Sequence, residues 1–130
     1  MIEVYTDGAT LGNPGIGGAG IYIKDGKQSY QYSIPLPSMS NHEAEFHAII
    51  HGLQVCKEHF PNEILSFRTD SKVAADLIEK GHTKNIVFQS LLHTINQVSS
   101  EFPFFFIKWI PEKKNYHADK LAKKAIQHHP

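Results

Sequence analysis

The sequence predicts an α/β fold, a five-stranded mixed sheet in which three antiparallel strands are followed by parallel ones, with helices flanking it. Two observations predict it. Three strand-like segments come first, joined by short connections, and the two later ones are each reached through helical patterns. A meander needs only turns, whereas parallel strands need a crossover of a dozen or more residues, so connection type sets strand direction.

Residues 2–6, IEVYT, place Ile2, Val4 and Thr6 on one side of a period-two pattern, which predicts a first strand ending on Asp7. Residues 18–24 and 28–34 follow as second and third strands. Between them, residues 25–27 read DGK, and an Asp-Gly pair favours the positive φ angles of a tight hairpin. Pro35 and Pro37 are expected to stop the third strand, because proline cannot donate to a ladder. Ser40 and Glu43 then form the S-x-x-E capping box of a helix that runs to about His59, before Pro61. A fourth strand at 63–69 leads into a short helix at 72–80 with Gly81 as its C-cap. Ile86, Leu91, Leu92, Ile95 and Val98 recur at helical spacing within 85–99. FPFFFIKWI, residues 102–110, is short and aromatic and predicts the fifth strand, and 115–127 predicts the last helix, with Leu121, Ala122, Ala125 and Ile126 as its apolar face. Strands one, four and five are expected to run parallel.

The bulk numbers exclude more than they assign. A chain of 130 residues with 41% hydrophobic and 20% charged residues suits one domain over 1–130. Thirteen Lys and Arg balance thirteen Asp and Glu, so no global charge steers the protein toward nucleic acid, membrane or acidic ligands. Any anion-binding surface must be local. One cysteine, Cys56, forms no internal disulfide, and neither a basic-then-apolar leader nor an apolar run of about 18 residues is present. The expectation is a cytoplasmic protein, a monomer with no membrane contact.

Four acids sit where packing would favour something else. Asp7 and Asp70 end strands one and four in the similar settings Thr6-Asp7-Gly8 and Thr69-Asp70-Ser71. If those strands are adjacent and parallel, the two carboxylates meet at the sheet edge where open sheets bind ligands. Glu45 shares a helix stripe with Ile49, Gly52 and Cys56, which directs a carboxylate toward the sheet, while Glu43 serves the cap. Asp119 lies in the first turn of the last helix, where an acid also favours the helix N-terminus. Singly, each has an ordinary structural explanation. Four carboxylates at one place repel one another by several kcal/mol at intermediate dielectric and raise one another's pKa unless cations neutralise them. Hard oxygen ligands select Mg²⁺ or Mn²⁺, and two such ions about 3.5–4 Å apart clamp the attacking and leaving oxygens of a phosphodiester displacement.

The segments TDGATLGNPGIGGAG, SNHEAEFHAI, FRTDS and NYHADKLA resemble the four signature blocks of type 1 ribonuclease H, in the same order and over nearly the whole chain. That resemblance implies a ribonuclease H-like fold and a two-metal endonuclease cutting the RNA strand of RNA–DNA hybrids to 3′-hydroxyl and 5′-phosphate ends. It implies that Asp7, Glu45, Asp70 and Asp119 hold two Mg²⁺ ions, or Mn²⁺, with Asp7 bridging both. Asn13 and Asn41 match positions that contact the hybrid in the minor groove, and Gly8, Ser71 and Lys72 fall in the same blocks. Residues 8–15 are then expected to form a loop in which glycine lets the backbone approach a sugar-phosphate strand.

Three departures bear on activity. Only nine residues, IPEKKNYHA, separate Trp109 from Asp119, so the longer loop carrying an auxiliary histidine in many members is missing, and His117 does not occupy its position. Lys72 stands where many members have glutamine. Lys84 is the single Lys or Arg between Gly81 and Ser99, so the basic element that grips the DNA strand is absent and weaker, less salt-sensitive hybrid binding follows. The alternative class is a nucleic-acid-binding module with little or no turnover on the same fold.

Other features carry milder readings. Glu43, His47 and His51 share one helix face, a solvated polar face rather than a zinc site, since HAIIH lacks the zinc-protease glutamate. Lys113, Lys114, Lys120, Lys123 and Lys124 form either a phosphate-binding edge beside Asp119 or a solvated helix. The phenylalanines of 102–106 and Trp109 are expected to be mostly core, and Cys56 an inert small hydrophobe.

Overall fold

The computed structural model describes residues 1–130. In chain order its elements are β1 (Ile2–Thr10), β2 (Gly15–Asp25), β3 (Gln28–Met39), α1 (Asn41–His59), β4 (Ile64–Thr69), α2 (Lys72–Lys80), α3 (Ile86–Ser99), β5 (Phe104–Trp109) and α4 (Tyr116–Gln127), with a 3-10 turn at Glu112–Lys114. The five strands form one sheet in the order β3-β2-β1-β4-β5. β1 to β3 pair antiparallel, while β1, β4 and β5 run parallel, as the connections predict. No helix is long and apolar enough to cross a membrane.

The caps read from the sequence are present. Ser40 Oγ accepts from the Glu43 amide at 3.2 Å and Glu43 Oε1 accepts from the Ser40 amide at 3.1 Å, closing the capping box of α1. Gly81 ends α2 at φ 86°, a left-handed conformation that glycine adopts without steric cost.

Three expectations are corrected. β1 does not stop at Asp7: Gly8, Ala9 and Thr10 continue it, paired with Ala19, Gly18 and Gly17 of β2. The turn between these strands is therefore only Leu11–Pro14, with a cis Asn13–Pro14 bond. β3 runs through Pro35 and Pro37 to Met39, because it is an edge strand and its prolines can forgo donating to a neighbour. α4 covers β1 to β3 and does not reach β5, so Phe104 (65% exposed) and Phe106 (47%) lie open rather than in the core, as does Trp109 (48%) at the strand's end, while Phe102 is buried.

The main core lies between one sheet face and α1, with Ile2, Val4, Ile21, Ile23 and Phe67 meeting Phe46, Ile49 and Leu53, and Leu92 and Ile95 of α3 joining them. α4 covers the opposite face over β1 to β3. Its approach depends on small residues in β2. A Cβ on Gly20 would collide with the Ala118 carbonyl, the Ala122 amide and Leu121 Cβ, and one on Gly18 with the Ala122 carbonyl. Glycine at these positions brings helix and strand backbones together and sets how close α4 stands to β1.

Candidate metal centre

β1 outlasts its parallel neighbour. Pairing with β4 ends at Thr6 opposite Thr69, whereas pairing with β2 continues to Thr10. Alternate residues of a strand direct their backbone groups to the same side, so Thr6 and Gly8 offer polar groups to a position where β4 has ended. Buried groups of this kind need partners. The Gly8 amide donates to Glu45 Oε1 at 2.7 Å, and the Thr6 carbonyl accepts from Asn115 Nδ2 at 2.8 Å. Glu45 from α1 and Asn115 from the start of α4 thus complete the ladder and are drawn into the same gap.

Asp7, Glu45 and Asp70 each offer one carboxylate oxygen in a cluster whose ligand atoms all lie within 4.8 Å of one another. Asp7 is buried, 6% exposed, and the other two are half-buried. Asp119 stands outside that group but near enough to Asp7 to repel its carboxylate, and its Oδ2 lies 3.1 Å from Lys123 Nζ. The four come from β1, α1, the end of β4 and the first turn of α4.

Burial raises the Asp7 carboxyl far above its usual range, and Glu45, Asp70 and Asp119 raise it further by repulsion. Glu45 is raised chiefly by burial, with the Gly8 amide opposing. Burial also raises Asp70, whose carboxylate accepts from Asn115 Nδ2 at 3.2 Å. Such a donor set fits hard divalent cations: clustered oxygens, partly desolvated, with more negative charge than Lys123 can offset.

A sign follows for the metal-free protein. An acid whose folded pKa exceeds its unfolded value stabilises the fold when protonated, and that contribution is lost as pH rises from about 4 toward the folded value. In chelator, Asp7→Asn is therefore expected to be more stable than the natural protein, by a margin that widens between pH 5 and pH 8 by at most about 1.4 kcal/mol per pH unit. Thermal melts at several pH values measure the gap; a constant or shrinking gap would contradict the repulsive cluster.

The other residues singled out in the sequence divide. Asn13 and Asn41 come together where the β1–β2 turn meets the start of α1: Asn13 Oδ1 accepts from the Asn41 amide at 3.0 Å, and Thr10 Oγ1 donates to Asn41 Oδ1. Gly8 lies inside a strand with its amide committed to Glu45, and a Cβ there would meet the Ala44 backbone. Its small size serves the packing of α1 on β1, which replaces the expected loop. Ser71 caps α2, accepting from the Ala74 amide at 3.1 Å, and Lys72 Nζ lies 5.7 Å from the centroid of the Trp109 ring. Trp109 Nε1 in turn donates to the Asp70 carbonyl at 3.1 Å. His117 stacks on Tyr22 with ring centroids 4.2 Å apart.

Sequence reasoning missed two residues. Asn115, only 1% exposed, ties Asp70 to the carbonyl of Thr6, which lies 109 positions before the asparagine in the chain. Glu112, on the 3-10 turn that replaces the longer loop, adds to the repulsion on Asp70. The available signal was the asparagine's place directly before a helix, where capping is the common role, yet its side chain makes no cap bond. Asn115→Ala removes a buried donor from two acceptors and is expected to cost about 1–3 kcal/mol. Melting should fall by about 3–5 °C per kcal/mol for a chain of this size.

The family model described as "Reverse transcriptase-like" matches residues 5–125. The chain is 38% identical over 128 residues to "Putative hydrolase EbsB" of Enterococcus faecalis, covering 98% of this chain and 95% of that protein. It is 40% identical over 79 residues to the ribonuclease H of Erythrobacter litoralis, a match covering 61% of this chain and only 53% of that enzyme. Among solved structures, LC11-RNase H1 in complex with RNA/DNA hybrid superposes with a TM-score of 0.90 at 25% identity, covering 98% of this chain and 97% of that one.

Proposed function

The chain belongs to the type 1 ribonuclease H family, and from that membership we propose that it is a metal-dependent endoribonuclease. It would hydrolyse the RNA strand of RNA–DNA hybrids to 3′-hydroxyl and 5′-phosphate ends. The observation that carries this reading is the convergence of Asp7, Glu45 and Asp70 within 4.8 Å, with Asp119 beside Asp7, at the open end of the parallel strands. Acids of that density have no packing purpose, and phosphodiester hydrolysis needs concentrated positive charge at that place.

Asp7, Glu45, Asp70 and Asp119 would hold two Mg²⁺ or Mn²⁺ ions. When bound, such ions supply a Lewis acid for the scissile phosphate and a lowered pKa for a bound water. The chain's own contribution is placement. Gly8 and Asn115 fix the Glu45 and Asp70 carboxylates through one hydrogen bond each, and Lys123 holds Asp119. Asn13 and Asn41 use their side-chain oxygens on internal donors, which leaves both amide NH₂ groups free to donate to sugar and base acceptors of a hybrid. One chain provides all four acids, so a monomer suffices, and the buried, unpaired Cys56 fits a reducing, cytoplasmic compartment.

The deciding experiment incubates the purified protein with end-labelled RNA in a hybrid, in duplex RNA and as a single strand, each with Mg²⁺, Mn²⁺ or chelator. Internal cuts in the hybrid alone, dependent on the metal, are expected. RNA left whole in the hybrid at high protein concentration would favour the binding-module reading.

A further inference from the structure

Along the outer side of α4 runs a groove of about 660 Å³ whose lining contains no acidic residue. Gln31 of β3 faces Tyr116, His117, Lys120, Lys124 and His128 across it. The chain has no net charge, so this is a local concentration of cationic side chains. Lys123, which also lines the groove, pairs with Asp119 at 3.1 Å, so the groove borders one of the four acids. Lys120 and Lys124 form no ion pair and keep their charge for an outside ligand.

The aromatic residues narrow the choice of anion. Tyr116 is 56% exposed, with Lys120 Nζ donating to its hydroxyl at 3.0 Å and lying 5.0 Å from its ring centroid. His117 stacks on Tyr22, which holds its ring in place beside Tyr116. A paired duplex offers such a surface only phosphates. A single strand offers phosphates and unstacked bases, and lysines beside exposed aromatic faces match both.

We propose that the α4 groove binds a single-stranded continuation of the nucleic acid whose hybrid portion lies at the four acids. Twelve helical residues give a track about 18 Å long at ~1.5 Å per residue. The identity of the ligand rests on the ribonuclease reading; the charge and shape of the groove do not.

The test compares a blunt hybrid with the same hybrid carrying a ten-nucleotide single-stranded tail on either strand. For the natural protein, one tailed form should have a KM about tenfold lower than the blunt form. The double variant Lys120→Glu/Lys124→Glu should erase that preference and reduce the salt slope of 1/KM for the tailed form by about 1.4, from two contacts at ~0.7 each. Tyr116→Ala should cut the tail advantage about fivefold or more, with kcat on the blunt hybrid unchanged in both variants. Equal KM for blunt and tailed forms with the natural protein overturns the proposal, and so does an equal loss on both in the double variant, which would mean a duplex grip. If no hybrid is cleaved at all, the ribonuclease reading fails, and binding of a fluorescent ten-nucleotide strand decides this one separately. Binding weakened at least tenfold in the double variant supports it; absent binding, or displacement by polyglutamate as readily as by oligonucleotide, overturns it.

Discussion

Asp70→Asn is expected to lower metal-dependent cleavage of hybrid RNA by on the order of 10³-fold while leaving the fold intact, a loss comparable to removing a preorganised charge-stabilising group from an active site. The substitution keeps the size of the side chain and an oxygen that accepts from Asn115 Nδ2, so the bridge from Thr6 to residue 70 survives. What disappears is one negative charge from a cluster in which burial and mutual repulsion already push the Asp7 and Glu45 carboxyls upward. In chelator the variant should melt no lower than the natural protein. Stabilisation by added Mg²⁺, visible as a metal-dependent rise in melting temperature, should shrink sharply. Undiminished cleavage by purified Asp70→Asn would remove the residue from the catalytic set and take the two-metal reading with it.

Gly20→Ala should produce the second large effect, through geometry rather than charge. The residue lies opposite Asp7 in the β1–β2 ladder, and a Cβ there would meet backbone atoms of Ala118 and Ala122 together with Leu121 Cβ at 2.9 Å. Backbone cannot rotate aside as a flexible side chain can, so α4 must lift from β2. Overpacking of this kind costs about 1–3 kcal/mol, occasionally more, and a fall of roughly 3–5 °C per kcal/mol in melting temperature follows. Activity should fall beyond what the loss of folded protein explains, because α4 carries Asp119. Gly26→Ala is the comparison: nothing lies within 4 Å of a Cβ there, and only the strain of φ 61° applies. Equal melting temperatures and activities for the two variants would show that α4 does not need close contact at Gly20.

Much of this protein was legible before any coordinates. Strand and helix periodicity, the Ser40–Glu43 box and Gly81 fixed the order and type of the elements, because those signals are local and act within a turn or two of the chain. The extents of β1 and β3 were not, because their continuation depends on a neighbour: Gly8 to Thr10 are held by β2, and Pro35 and Pro37 are tolerated because β3 is an edge. Phe104 and Phe106 look like core residues in the sequence and lie exposed, because α4 covers β1 to β3 and not β5.

The candidate site divides along the same line. Sequence by itself singled out Asp7, Glu45, Asp70 and Asp119, since carboxylates at strand ends, at a helix start and on an apolar helix stripe stand out against the pattern around them. Only the tertiary structure decided how they are held. The early end of β4 leaves the Thr6 carbonyl and the Gly8 amide without strand partners, and buried polar groups recruit Asn115 and Glu45 to satisfy them. Pairing across 37 and 109 positions of chain is set by where strands stop in space, a quantity that residue types alone do not carry.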